Sequence, residues 1–198
     1  GYNGNSLIKK ANVVHNFTEE QLREYIKCAN DIEYFVRTYC KIVTLDDGLQ
    51  LFDLFEYQSN MIKTFNDNRF VVCLLPRQMG KTVTVGAFLL HYAIFNSEKM
   101  IAILANKALV AREILSRVQR MYEHLPLWMQ PGVKEWNKSS VVLDNGSTIM
   151  SAATSSSSIR GFSFNLIALD EFAFVEQQDE FWESTYPVIS SGTNSKVI

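Results

Sequence analysis

The stretch Val71–Leu90, VVCLLPRQMGKTVTVGAFLL, decides the fold. The continuous apolar run from Phe70 to Leu75 predicts a strand buried on both faces, and the residues from Thr82 to Phe95 predict a helix. Between them lies a loop that ends in Gly-Lys-Thr, as a phosphate-binding P-loop does, although the early glycine is missing and an arginine is present. A strand, this loop and a helix, in that order, are what a phosphate site needs.

The end of the loop supplies three separate contributions to binding a nucleoside triphosphate. Gly80 lets the backbone approach the phosphates, Lys81 reaches the β and γ phosphates, and the Thr82 hydroxyl can ligate Mg²⁺. The unpaired N–H groups and the positive dipole end of the helix also favour an anion. An ordinary helix-starting turn is the alternative for this stretch taken alone.

A second motif, NLIALDEFAF, adds acidic residues at the end of another apolar run. Asp170 and Glu171 follow the predicted strand from Leu166 to Leu169, at the carboxyl end where open α/β sheets place their ligands. Asp170 would hold Mg²⁺ through water, and Glu171 would orient and deprotonate the attacking water. Acidic residues also cap helices, but the two motifs together, each on an apolar strand, favour a nucleotide site.

The remaining pattern predicts an α/β fold with a helical N-terminal segment. We expect residues 1–60 to form that segment, packed on a P-loop ATPase domain over residues 61–198, which has the RecA-like (ASCE) arrangement of a mostly parallel sheet flanked by helices. The predicted elements are helices starting near Glu19 and Asp31, a helix over Tyr57 to Phe65, strands over Lys99 to Ala105 and Asn165 to Leu169, a helix over Lys107 to Leu125, a hairpin at Asp144-Asn145-Gly146, and a strand starting at Lys196.

Composition gives few further constraints. The net charge of -2 gives the chain no overall positive field of the kind that favours binding to nucleic acid. Cys28, Cys40 and Cys73 are scattered among apolar residues, which favours reduced thiols over a disulfide framework or a metal site. The sequence has neither a ~20-residue apolar run nor the apolar core of a signal peptide. We therefore expect a soluble intracellular protein.

Five segments resemble the N-terminal ATPase domain of the large terminase subunit, the DNA-packaging motor of tailed bacteriophages: LLPRQMGKT, LIALDEFAF, LPLWMQPGVKEWNKSSVVLDNGSTI, SIRGFSFN and YPVISSGTNSKVI. The resemblance covers nearly all of the chain from about Tyr57 onward. Its most specific element is the loop, because that family characteristically replaces the early glycine and places an arginine three residues before Gly-Lys-Thr.

The resemblance implies roles for further residues. Arg77 matches an arginine that contacts the γ-phosphate from within the same chain, while its neighbours complete the nucleotide-binding loop. Arg160 is a second candidate for charge near the phosphates, in its own or a neighbouring subunit's site. The ATP-binding positions implied in addition to Gly80, Lys81 and Thr82 are Tyr57 and Gln58, where the family binds adenine, the loop residues Pro76, Arg77, Gln78 and Met79, and Arg160.

For the whole protein, the resemblance implies hydrolysis of ATP with Mg²⁺ to drive double-stranded DNA into a procapsid. It also implies a portal protein and a small terminase subunit as partners, a homo-oligomeric ring, and action in the host cytoplasm outside the mature virion. The family's coupling motif and nuclease domain would follow Ile198, so we expect a fragment of a longer chain. No DNA contact can be placed, because a solvated helix face equally explains the cations Lys107, Arg112, Arg117 and Arg120.

Three alternatives remain open on the sequence. A helicase or another DNA translocase shares the upstream glutamine and the Asp-Glu pair, although Arg77 argues against it. A nucleotide-binding module without turnover would not need Glu171. A plain α/β scaffold would require both motifs to be accidental.

Overall fold

The computed structural model describes residues 1–154, 161–174, 178–190 and 192–198. Arg160 therefore lies outside the described residues. The helices are α1 Glu19–Asn30, α2 Ile32–Tyr39, α3 Glu56–Asp67, α4 Lys81–Phe95, α5 Ala108–Glu123 and α6 Gln178–Ser190. The strands are β1 Lys41–Thr44, β2 Gly48–Leu51, β3 Met100–Ala105, β4 Val133–Trp136, β5 Ser140–Leu143, β6 Thr148–Ala153, β7 Leu166–Asp170 and β8 Lys196–Val197.

The main sheet has six strands in the order β4-β5-β6-β3-β7-β8. Strands β6, β3, β7 and β8 run parallel, and β4 and β5 complete one side in antiparallel pairs. The central strand β3 is almost fully buried, as its unbroken apolar pattern predicts. Its last residue, Ala105, pairs with Asp170, which places the acidic motif at the carboxyl edge of the sheet. The mostly parallel α/β fold is thus confirmed.

The predicted buried strand from Phe70 to Leu75 is wrong in its burial and most of its pairing. Only Phe70 forms a β-bridge, with Val197, and the Val71 N–H donates to the Val197 carbonyl at 2.9 Å. The side chains of Val72 and Leu74 are 96% and 97% exposed. Among the described residues, β8 is the last strand on this side of the main sheet, and the rest of the stretch pairs with no strand.

The first two helices begin as their capping residues predict. Thr18 and Gln21 form a reciprocal capping box at α1. At α2 the Asp31 side chain caps the helix by accepting from the Tyr34 N–H, so the helix begins one residue later, at Ile32, close to the predicted start.

The N-terminal segment packs on α4, the helix that starts at the phosphate loop. Phe35 is fully buried and meets the rings of His91 and Phe95 edge to face, at 5.4 and 5.3 Å between centroids. His91 Nε2 lies 2.9 Å from the Cys28 carbonyl oxygen. The expected boundary at residue 60 falls inside α3, and one apolar cluster includes residues from both sides of it.

Two pieces of β-structure were not predicted. Strands β1 and β2 pair antiparallel around the Asp46-Asp47-Gly48 turn, inside the segment expected to be helical. Strand β4 adds to β5 at the edge of the main sheet.

Lys196 joins β8 to the end of α3. Its Nζ donates to the carbonyl oxygens of Phe65, Asn66 and Asn68 at 2.8 to 2.9 Å. These are carbonyls that the last turn of a helix leaves without intrahelical partners, so the lysine caps α3. No helix among the described residues is both long and apolar enough to cross a membrane.

Candidate nucleotide-binding site

The phosphate loop adopts a conformation that leaves the start of α4 open to an anion. Gly80 precedes the helix in the left-handed region, with a φ of 63°, and its carbonyl accepts from the Thr84 N–H. Glycine tolerates this φ without steric cost. Among the described residues, no side chain caps the helix, so the first N–H groups from Lys81 onward have no intrahelical partner and remain available to an anion.

The acidic motif interacts electrostatically with this helix start through Asp170. Burial raises the pKa of the Asp170 carboxyl above its ordinary value, the positive charge of Lys81 opposes that rise, and Glu171 adds to it. The charges of Lys81 and Asp170 therefore lie close enough to interact. A half-buried carboxylate near a lysine is suited to hold a cation by way of water.

Glu171 has a strained backbone. Its φ is 51°, in a region that costs a residue with a side chain about 1 to 2 kcal/mol. Strain of this kind persists where surrounding contacts enforce it, and it concentrates at functional sites. It marks the turn where β7 leads into the short 3-10 helix Phe172–Phe174, and this is the position predicted for the residue that activates water.

Tyr57 and Gln58 lie against the loop. The Tyr57 hydroxyl donates to the Met79 carbonyl at 2.8 Å. Gln58 is 3% exposed, and its Nε2 is so close to Gly80 that a Cβ at that glycine would lie 2.7 Å away. The structure thus brings both residues to the phosphate loop.

The other predicted loop residues face solvent to different degrees. Pro76, Arg77 and Gln78 are exposed, whereas Met79 is half-buried. Arg77 makes no hydrogen bond or ion pair with any described residue. Its guanidinium is therefore free to meet an incoming anion. Gln78 has a φ of 64°, which is unusual for a residue with a side chain.

The residues around the loop fit a magnesium ion that is held in part by phosphate. The described residues contain no group of three or more His, Cys, Asp or Glu side chains able to enclose a metal. Mg²⁺ in nucleotide sites commonly keeps several waters and takes only one or two protein ligands besides phosphate oxygens. Thr82, in the first turn of α4, and Asp170, at the end of β7, are residues of the type that would supply those ligands.

Sequence reasoning missed Phe55, which precedes α3. Its ring stacks on Tyr57, with centroids 5.7 Å apart and planes 10° apart, and it is 66% exposed. The pair of aromatic residues at 55 and 57 was the available signal. An exposed, pre-stacked aromatic ring beside a nucleotide loop offers a surface on which a base can stack.

A cavity of about 270 Å³ lies beside the first turn of α4, between β1 and α5. Arg117 and Arg120, two of the cations noted in the sequence, line it together with Lys41 and Val83. Arg117 is ion-paired with Glu113 at 3.2 Å. Arg117 and Arg120 both lie on α5, and neither is assigned a DNA contact.

A mostly parallel sheet with Asp-Glu at a strand end, together with a Gly-Lys-Thr loop at a helix start, defines a P-loop NTPase of the RecA-like class. The family model described as "Terminase large subunit, T4likevirus-type, N-terminal" matches residues 72–198. The chain belongs to this family of large terminase subunits.

Solved structures of the same kind share the fold. The large terminase of bacteriophage HK97 matches with a TM-score of 0.72 and 19% identity, over 86% of this chain and 36% of that one. The large terminase ATPase domain of Thermus phage P74-26 matches with a TM-score of 0.60 and 18% identity, over 74% and 64%. The large terminase of another thermophilic bacteriophage, in complex with ATP-gamma-S, gives 0.56 and 13%, over 72% and 36%. The chain thus spans only part of these relatives.

Proposed function

We propose that this chain is the ATPase domain of a viral DNA-packaging motor, which hydrolyses ATP with Mg²⁺ to drive double-stranded DNA into a procapsid. The observation that carries the proposal is the charge interaction between Lys81, at the first position of α4, and the half-buried carboxyl of Asp170, at the end of β7. Membership of the large terminase family supports the same reading, as does the ATP-gamma-S bound to a large terminase of similar fold.

In the proposed reaction each residue has one task. The N–H groups at the start of α4 and the Lys81 ammonium hold the β and γ phosphates, and Arg77 brings a second positive charge to the γ-phosphate. Glu171 orients a water molecule and takes its proton as the water oxygen attacks the γ-phosphorus, and the bond from that phosphorus to the bridging oxygen breaks, so that ADP and inorganic phosphate are released. Thr82 and Asp170 would hold Mg²⁺, which would supply positive charge at the phosphates.

Two substitutions separate binding from turnover. Lys81→Ala removes the cation at the phosphates, so we expect ATP hydrolysis to fall about 100-fold or more, with weaker binding. Glu171→Gln keeps the size of the side chain but removes the carboxylate that accepts the proton of the water. We therefore expect ATP to bind normally while hydrolysis falls about 100-fold or more. The measurements are binding of a fluorescent ATP analogue and phosphate release, on this chain and on the full-length protein.

Lys134→Ala is the matched control, because Lys134 is an exposed lysine on β4, outside the site. Unchanged ATP affinity and hydrolysis in Lys81→Ala would contradict the nucleotide site. Full-length protein that binds ATP but never hydrolyses it would favour the module without turnover. Unwinding of a duplex without uptake of DNA into procapsids would favour the helicase reading.

The remaining parts of the proposal come from the family resemblance. They are a portal protein and a small terminase subunit as partners, a homo-oligomeric ring as the active form, and action in the host cytoplasm. Double-stranded DNA is the proposed substrate of movement, without contact residues on this chain. Arg160, supplied in cis or to a neighbouring subunit, and an adenine contact by Gln58 remain predictions.

A further inference from the structure

The start of α3 holds the phosphate loop at two successive residues. Tyr57 Oη donates to the Met79 carbonyl at 2.8 Å, across 22 positions of sequence. Gln58 Nε2 packs directly against Gly80, within reach of any Cβ placed there. The restrained residues, Met79 and Gly80, are the last two before the helix whose N–H groups face the phosphates.

The loop needs such restraint because its backbone is unfavourable in isolation. Gln78 and Gly80 both have positive φ, 64° and 63°, on either side of Met79. A residue with a side chain rarely holds that conformation unless its surroundings enforce it. The hydrogen bond to the Met79 carbonyl fixes the peptide between the two, so it opposes relaxation of either one.

The contacts from α3 are themselves rigid. Gln58 Oε1 accepts from the Phe55 N–H at 2.9 Å, which anchors the amide and aims its nitrogen at Gly80. The Tyr57 ring stacks on Phe55. Gln58 itself is only 3% exposed, so its side chain is held in place by packing as well as by this hydrogen bond.

We propose that Tyr57 and Gln58 are positioning residues that hold Met79 and Gly80 in the anion-binding conformation and thereby act on the phosphates of any nucleotide, whatever its base. The proposal rests on the proposed function, since it takes this loop to bind the phosphates of ATP. It differs from an adenine contact by Gln58, because a base contact would distinguish ATP from other phosphate ligands.

The experiment compares Tyr57→Phe with wild type for ATP, GTP and inorganic tripolyphosphate, each with Mg²⁺. Because Tyr57→Phe removes one hydrogen bond that orders the loop, the affinity for all three ligands should fall by the same factor, about fivefold. Amide hydrogen exchange over residues 77–82 should become faster in the free protein. Tyr34→Phe is the matched control, because it removes a tyrosine hydrogen bond to Glu24 elsewhere in the N-terminal segment.

Gln58→Ala should likewise lower the affinity for the three ligands by one common factor. Weaker binding of ATP with unchanged binding of tripolyphosphate, in either variant, would overturn the proposal and assign the residue to the nucleoside. Unchanged affinities together with unchanged exchange in Tyr57→Phe would also overturn it. A wild-type chain that binds none of the three ligands would refute the proposed function, and loop exchange in Tyr57→Phe would then still decide the positioning role.

Discussion

Gly80→Ala tests whether the phosphate loop is built as the structure indicates. The new Cβ would meet two obstacles, a φ of 63° and the Nε2 atom of Gln58 at 2.7 Å. The left-handed backbone costs an alanine about 1 to 2 kcal/mol. A contact of 2.7 Å cannot be tolerated, so the Gln58 amide must move.

The second obstacle has its own cost because Gln58 is anchored. To swing away, it must give up the hydrogen bond from the Phe55 N–H to its Oε1, which contributes about 1 kcal/mol. We therefore expect Gly80→Ala to lower the free energy of unfolding by about 2 to 3 kcal/mol. Gly48→Ala is the control, since Gly48 has a φ of 69° but open space around its missing Cβ. Gly48→Ala should lower the free energy of unfolding only by the cost of the left-handed backbone, about 1 to 2 kcal/mol.

Equilibrium unfolding in urea gives the free energy of unfolding of both variants. Repeating the two substitutions in a Gln58→Ala background isolates the contribution of the contact between Gln58 and the new Cβ at position 80. In that background the difference between Gly80→Ala and Gly48→Ala should disappear. If Gly80→Ala lowers the free energy of unfolding no more than Gly48→Ala does in the otherwise unchanged chain, Gln58 does not restrain the loop at Gly80 and the reasoning is refuted.

Two further predictions concern a buried histidine and the loop arginine. Burial lowers the pKa of His91 to about 4, against the opposing effects of the Cys28 carbonyl and Asp31. Since its unfolded pKa is about 6.5, the stability from neutral His91 should be complete above about pH 6.5 and lost as the pH falls toward about 4. Melting temperatures of wild type and His91→Gln between about pH 7 and pH 4.5 should show a steeper fall in wild type; parallel curves would contradict this. Arg77→Ala should reduce the preference for ATP over ADP, and an ATP-to-ADP affinity ratio equal to that of wild type would refute the γ-phosphate role.

The sequence was a sufficient guide where local pattern and chemistry coincide. The start of α4 at Lys81 follows from the glycine before it, and the position of Asp170 follows from the apolar run that ends there. The capping residue Thr18 likewise marks the start of α1. Each of these features depends on residues close together in the chain, so the pattern contains the necessary information.

The features that depend on distant partners could not be predicted. The run from Phe70 to Leu75 has the composition of a buried strand, but burial depends on which elements lie beside it, and a local pattern does not contain that information. The bond from Tyr57 to the Met79 carbonyl requires the tertiary placement of α3. Nothing in the local pattern distinguishes a tyrosine that makes such a bond from one that only packs in the core.

Helix α3 is hydrogen-bonded to other elements at both ends, so it can transmit a displacement along its axis. Its first turn holds the phosphate loop through Tyr57, and its last carbonyls are held by Lys196 of β8. Its 12 residues span about 18 Å, and a helix hardly stretches or shortens along its axis. We therefore expect a displacement of Met79 on nucleotide exchange to reach β8 as movement of a stiff rod. A change in hydrogen exchange at Val197 on ATP binding, reduced in Lys196→Met, would reveal that transmission.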